Sequence, residues 1–434
     1  MATVRVIVSA PGRLDMMGGV ADYSGGLVLQ VPTSVSTQVD AELSPAAAGA
    51  CDAVFLSSAP FGSTEVPLSL LRGAAEDGYL DSLSLPGVAA FLRAQDAPFW
   101  VLYVFGSVAI FARETGWLPT PQTRLRLSVT STVPTAQGVS SSASVEVAVL
   151  RALRVLSGKP LTDLRLAHIA QAAENFIVGA RCGLMDQLSS SCGVPGRVLP
   201  ITCRPDELAP IVSLPASVAL VGWPSGVKHS VAGASPYLVA RTATFMGLAL
   251  ARAAAPAVMA NIQYAAELSP SVLRAEILEM MPATMRGRDF TAAHGALNDP
   301  LSIVEPDTVY PVRDAFSFPV EETFRCGIAK SLLIAAGCAP AGSDAYTACL
   351  ASVGELMLLG HAGYNAIGLG CPETDAMVAR LREMGPKAGI YGARISGGGS
   401  GGTVAVLCER SALPALEAVA KQLTFGTPFT GLIA

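Results

Sequence analysis

Apolar and polar residues alternate from Val4 to Ser9, the pattern of a half-buried strand. A glycine-rich stretch, Pro11 to Gly26, interrupts it. Leu27 to Val31 and Val35 to Ala41 read as two further strands, expected to form an antiparallel pair. Residues 42–66 mix Pro, Ala, Gly and Ser around a short strand, Ala53 to Leu56. The period then becomes helical over Val88 to Arg93 and Phe99 to Thr115, and Leu125 to Ser131 returns to a strand. Val133 to Ala143 runs into a helical pattern that ends near Gly158, where a glycine suits the C′ position. Leu161 to Val178 predicts a second helix, with cap candidates at Leu161-Thr162-Asp163 and an apolar face of Ile169, Ala172, Ala173 and Phe176. A loop, Gly179 to Gly183, leads to Leu184-Met185-Asp186-Gln187.

Strands separated by Pro and Gly turns run from Val198 to Trp223. Helices are then expected over Pro236 to Ala254, Ala257 to Leu268, Leu273 to Met281, Glu322 to Ala336, Tyr346 to Asn365 and Glu373 to Glu383. Strands Tyr391 to Ile395 and Thr403 to Cys408 flank Ser396-Gly397-Gly398-Gly399-Ser400-Gly401-Gly402, and a last helix covers Leu413 to Leu423. There is no internal repeat. At 434 residues the chain is long for one core, so two domains are expected, 1–210 and 211–434.

Composition narrows the classes. The chain is 51% apolar and 15% charged, which is an ordered globular composition. Net charge is −5, with no basic run and no basic residues interleaved with aromatics, so nucleic acid is excluded as a partner. No uncharged apolar run reaches the roughly 18 residues of a membrane span. Ala97 to Ala112 comes nearest and is bounded by Asp96 and Arg113, so a buried core helix is expected there and no membrane partner. The start of the chain lacks the apolar core of a signal peptide. Nine scattered cysteines without a C-x-x-C pair, Cys182 and Cys192 included, predict free thiols in a reducing, cytoplasmic setting. A monomer or weak homo-oligomer is expected.

Four stretches carry candidate chemistry. In Pro11 to Gly26, five glycines share sixteen positions with Arg13, Asp15 and Asp22. Arginine offers a cationic fork suited to phosphate, and the acids accept hydroxyl protons. Taken alone the stretch is equally a surface turn with a bulge. Gly138-Val139-Ser140-Ser141-Ser142-Ala143 opens a helix, whose free amides bind phosphate. A serine-rich N-cap reads as well. Asp186 stands at a helix–loop junction, a cap or a catalyst. Ser396 to Gly402 either packs against backbone or wraps a ligand. It lacks the dinucleotide-binding context, and no G-x-x-x-x-G-K-[ST] exists. His229, in Gly226-Val227-Lys228-His229-Ser230, reads as structural, and the other histidines suggest nothing.

The order of these stretches resembles the galactokinase/homoserine kinase/mevalonate kinase (GHMP) superfamily, from about Ala10 to Leu407. Within it, Ala10–Gly26, Glu174-Asn175, Met185-Asp186-Gln187, Val227 to Ser230 with Tyr237, and Gly392-Ala393-Arg394-Ile395-Ser396 are similar to the sugar 1-kinases. The resemblance implies an α+β, two-domain GHMP kinase fold. Its N-terminal α/β domain contains a left-handed βαβ unit, its C-terminal domain is α+β, and its active site lies in the cleft. It implies ATP as co-substrate with Mg²⁺. Gly138, Val139, Ser140, Ser141, Ser142 and Ala143 would hold the ATP phosphates, and Ser142 and Glu174 the metal. Asp186 would face the anomeric hydroxyl beside Arg13. Gly19, Val20, Asp22, Gly183 and Tyr237 would contact the sugar.

Galactokinases carry Glu-His where this chain has Gly19-Val20, and that pair meets the sugar's 6-hydroxyl end. Asp22, which matches the acid holding the ring hydroxyls, is kept. L-Arabinopyranose is galactopyranose without the hydroxymethyl group, so the pattern suits the pentose. Gly12 to Asp15 with Gly18 to Tyr23, Glu174 to Gly193 and Ser225 to Ala234 also resemble plant-type L-arabinokinases more than galactokinases. The alternatives are a kinase for galactose or a C6-modified galactose-like sugar such as a uronic acid, and a non-catalytic sugar and ATP sensor.

Overall fold

The computed structural model describes residues 2–46, 52–76, 85–180, 182–204, 206–227, 235–299, 301–423 and 428–430. The Lys228-His229-Ser230 motif, and the stretch on to Ala234, lie outside the described residues. Two compact units are built from interleaved pieces of chain: Met1–Gly12, Val35–Pro134 and Ser140–Cys192 form one, and Arg13–Ser34, Thr135–Val139 and Gly193–Ala434 the other.

In the first unit, Thr123–Ser131 is the central strand. It pairs antiparallel with residues 37–45, from Thr37 opposite Ser131 to Pro45 opposite Thr123. It pairs in parallel with Ala53–Ser58, which forms a hairpin with Gly62–Pro67. Val39, Ala41, Leu125, Leu127 and Val129 alternate inward, as period-two strands must. Helices Phe99–Thr115, Ser141–Ser157 and Asp163–Ala173 supply the rest of that core. The Phe99 helix is buried almost throughout from Val101 to Ala112, which explains its nearly unbroken apolar sequence. Gly158 closes the Ser141 helix in the left-handed conformation, and Thr162 caps the next helix by accepting the Arg165 amide hydrogen.

The second unit carries a four-stranded antiparallel sheet in the order Ile390–Ile395, Thr403–Glu409, Val218–Pro224, Phe429–Thr430. Long helices Pro236–Ala254, Val312–Cys338, Asp344–Ala366 and Pro372–Met384 belong to it. Among the described residues no helix is long and apolar enough to cross a membrane, and the eight described cysteines are free thiols.

Four expectations change. Leu27 to Val31 and Val35 to Ala41 do not pair with each other; they are parts of one strand, Leu27–Pro45. Its first residues, Leu27 to Gln30, pair with Leu199 to Thr202. Pro32 between them lies within this strand, as prolines at positions that need no amide donor can. The first strand also continues through the glycine stretch to Met17, so only Gly19–Ser24 forms a turn. The helix expected from Glu322 starts at Val312 and contains Pro319. A proline inside a helix leaves the carbonyl four residues back without its partner. Here that carbonyl, on Ala315, accepts the Thr244 hydroxyl at 3.0 Å, a tertiary repair. The helices expected over Ala257 to Leu268 and Leu273 to Met281 break into single turns, including Pro256–Met259, Ala265–Glu267 and Leu273–Ile277.

The Asp344 helix lies backbone to backbone on the Ile390 strand. A Cβ on Gly354 would fall 1.8 Å from the Tyr391 carbonyl oxygen. Gly354→Ala should therefore destabilise by about 1–3 kcal/mol through overpacking. Gly337→Ala, at an exposed helical position with open space around it, should stabilise by roughly 0.5–1 kcal/mol. Urea denaturation of the two variants checks the opposite signs.

Candidate active site

The wall expected from the glycine stretch is a short 3₁₀ turn, Gly19–Ser24. Gly18 enters it at φ 108°, where a Cβ would meet the Val28 Cα at 2.5 Å, so only glycine fits. Three consecutive amides of this segment are taken by buried side chains. Gly18 donates to Glu322 Oε1 at 3.1 Å, Gly19 to Asp15 Oδ1 at 3.1 Å, and Val20 to the Tyr364 hydroxyl at 3.2 Å. The backbone amides therefore serve the fold. Val20, Ala21 and Tyr23 sink into one apolar cluster with Tyr237, whose ring meets Tyr23 edge-on at 6.0 Å. Asp22 is half-buried and accepts the Tyr23 amide at 2.8 Å.

Asp15 does not serve as an exposed acceptor for hydroxyls. It is fully buried, its Oδ1 also accepts from Gln30 Nε2 at 2.6 Å, and its Oδ2 has no hydrogen-bond partner. Burial raises its pKa, opposed by the charges of Arg394 and Arg13. Sequence reasoning did not find Glu322 or Tyr364. They lie three hundred or more residues from the turn, and no local pattern marks them.

Arg13 is buried and donates from Nη1 to the Gly138 carbonyl at 2.6 Å, while its backbone amide donates to Val139 O at 3.1 Å. The two glycine loops come together around it. A Cβ on Gly397 would lie 2.7 Å from Gly138 O and 3.3 Å from Arg13 Nη2, and one on Gly402 would lie 2.9 Å from Gln137 O. Thr403 adds a hydroxyl bond to Gln137 O at 2.8 Å. Packing against the backbone of Gln137 and Gly138 thus requires glycine at 397 and 402, while Leu369 and Val227 crowd Gly399 and Gly401.

At the mouth of the Ser141 helix, the serine-cap reading fails. Ala136, Gly138 and Ser140 all have positive φ, and Ser140, at the cap position, makes no side-chain capping bond. Its hydroxyl is buried without a partner. Strain of this kind in non-glycine residues collects at functional sites. Alternating left-handed residues also make backbone nests for anions.

The acids of the first unit form a second cluster. Glu174 opens a π-turn, Glu174–Val178, that closes the Asp163 helix, and such turns recur at functional sites. Asp186 sits in the first turn of Met185–Cys192. Gln187 Nε2 donates to Glu174 Oε2 at 2.6 Å and reaches Glu146 Oε2 at 3.5 Å. Glu146, absent from the sequence reading, is fully buried on the Ser141 helix, with Oε1 unpartnered. Burial, then the Asp186 charge, pushes the Glu174 carboxyl up to about 7, against hydrogen bonds from Ser142, Cys182 and Glu146. Burial, then Glu174, lifts Glu146 well above the usual range. Gly183 lies half-buried beside these residues in the chain.

A divalent cation fits this chemistry. Ser142 and Glu174 are hard oxygen donors already in contact, and surplus negative charge is buried beside them. Among the described residues no three His, Cys, Asp or Glu side chains converge on a metal. A cation here needs further oxygens from its ligand, as Mg²⁺ on a nucleotide has. Raised carboxyl pKa values mean that the native state holds protons the unfolded chain has released. Between about pH 5 and pH 8 the fold should therefore lose stability as pH rises. In that window, the melting temperature of Glu174→Gln minus that of the unaltered protein should grow with pH. A pH-independent difference would contradict the buried-acid arrangement.

Residues 103–194 match the GHMP kinases N terminal domain, and residues 345–424 the GHMP kinases C terminal domain. L-Arabinokinase of Arabidopsis thaliana is 31% identical over 93% of this chain and 43% of its own length. A galactokinase of Chloroflexus aurantiacus is 32% identical over 52% of this chain and 50% of its own. The chain therefore spans half or less of the length of these relatives. The structure of Lactococcus lactis galactokinase complexed with galactose superposes with a TM-score of 0.71, at 21% identity over 99% of this chain and 94% of that one. Residues 103–194 and 345–424 thus match the two GHMP kinase domains in order, on a fold shared with a galactokinase over nearly the whole chain.

Proposed function

We propose that this protein is an ATP-dependent sugar 1-kinase that phosphorylates the anomeric hydroxyl of L-arabinose, giving L-arabinose 1-phosphate and ADP. The observation that carries the sugar assignment is the wall turn. It keeps Asp22 and Tyr237 but offers Gly19 and a Val20 that is 2% exposed, packed in an apolar cluster. A galactose 6-hydroxyl set against that surface would lose its hydration with no partner, at a cost of about 1–3 kcal/mol. A pentopyranose has no such group to desolvate. The relative named L-arabinokinase supports the reading, and the one named galactokinase supports the broader class.

In this reading the residues divide the work of phosphoryl transfer, which is mostly positioning and charge neutralisation. The nest at Gly138 to Ser140 and the amides of Ser141 to Ala143 hold the ATP phosphates. Ser142 and Glu174 hold Mg²⁺, which would neutralise phosphate charge when bound. Asp186 accepts a hydrogen bond from the anomeric hydroxyl, orients its oxygen and receives its proton. Arg13, which donates to the Gly138 carbonyl, places its positive charge beside the phosphoryl oxygens.

In a coupled ADP-release assay, kcat/KM for L-arabinose should exceed that for D-galactose by about tenfold or more. Asp186→Ala should cut turnover by at least about a hundredfold with little change in the KM for ATP. Equal or better use of galactose or a uronic acid overturns the pentose assignment. Tight binding of sugar and ATP without sugar phosphate overturns the kinase in favour of a sensor.

A further inference from the structure

Gly19 raises a question that its backbone does not answer. Its φ is not left-handed, so nothing in the main chain requires glycine there. The requirement comes from the Asp344 helix. A Cβ on Gly19 would lie 1.7 Å from the Tyr364 hydroxyl oxygen, 2.9 Å from the ring Cζ, and 2.7 Å from Asp15 Oδ2. The phenol occupies the space into which any side chain at position 19 would project.

Tyr364 is held there from several sides. Its hydroxyl donates to the Gly397 carbonyl at 2.6 Å and accepts the Val20 amide at 3.2 Å. Its ring stands edge-on to Phe318 at 5.5 Å, and the Arg394 guanidinium lies 5.0 Å from the ring centre. Burial, then the Asp15 charge, pushes the phenol well above its usual pKa, so it stays a neutral donor and acceptor. One hydroxyl thus joins the wall turn to the glycine loop packed around Arg13.

We propose that Gly19 and Tyr364 form one specificity-determining pair. The phenol fills the volume of the missing side chain and pins Val20 in the apolar cluster, so the wall suits a sugar ring without an exocyclic hydroxymethyl group. The sugar named here rests on the L-arabinose reading; the pairing itself does not. Tyr364 acts through Val20 and is a positioning residue, not a catalytic one.

The test is a double-mutant cycle of Gly19→Ala, Tyr364→Leu and both together, with Tyr364→Phe as the conservative variant. Melting temperature, and KM and kcat over a panel of L-arabinose, D-galactose and galacturonate, are measured for each. Gly19→Ala alone should lower the melting temperature and raise the KM for L-arabinose about tenfold, with kcat changed far less. Adding Tyr364→Leu should restore most of both losses. Tyr364→Leu alone should shrink the arabinose-to-galactose ratio of kcat/KM about fivefold or more, and Tyr364→Phe should shrink it less. Additive effects of the two substitutions on melting temperature, or a ratio unchanged in Tyr364→Leu, overturn the proposal. The ratio in the unaltered protein tests the sugar assignment separately. If another sugar is preferred, that assignment fails, while non-additivity in the cycle still supports the pair.

Discussion

Glu322 is a fully buried carboxylate on which the geometry of the wall turn depends. It pairs with Arg394, also fully buried, and with Arg325 at 2.7 Å, and it accepts the Gly18 amide. Burial alone would raise its pKa, but the two guanidinium charges hold it below the usual range. Removing one partner of such a pair strands the other charge, which costs about 3–5 kcal/mol. The pair therefore gains little over an apolar core in raw stability. What it gains is register: it sets where Gly18 sits, and with Gly18 the entry into the turn that carries Val20 and Asp22.

The two units treat buried charge in opposite ways. In the second, Glu322 meets Arg394 and Arg325 and is held in its charged form. In the first, Glu146 and Glu174 are buried beside each other, and both are pushed toward the protonated form. Two carboxyl groups buried side by side are costly to a fold, and carboxyls raised in this way cluster at functional sites. The strained serine turn and the unpartnered Ser140 hydroxyl, in the segment leading into the Ser141 helix, belong to the same economy of stored cost.

The candidate residues stand out in the sequence because their patterns are local. A glycine-serine turn before a helix, an acid opening a helical turn, and an arginine in a glycine stretch can each be seen in a few residues. The strands Thr123–Ser131 and Thr403–Glu409 and the Phe99 helix were legible for a similar reason, since their periodicity is strong. The Pro319 helix was not, because its repair by Thr244 comes from another helix. Nor could the capping reading of Ser140 be decided locally, as a φ of 59° there is visible only in three dimensions.

The sequence by itself determined the order of most elements and marked the candidate residues for the proposed chemistry, because short-range spacing carries both. It also marked Gly19 and Val20 as a departure from the galactokinase pattern. Only the tertiary structure decided why Gly19 is a glycine. Its neighbour Tyr364 lies 345 positions away along the chain, and excluded volume between residues so distant leaves no trace in local pattern. The same holds for Gly397 and Gly402, which answer to the backbone of Gly138 and Gln137, and for Gly399 and Gly401, which answer to Leu369 and Val227.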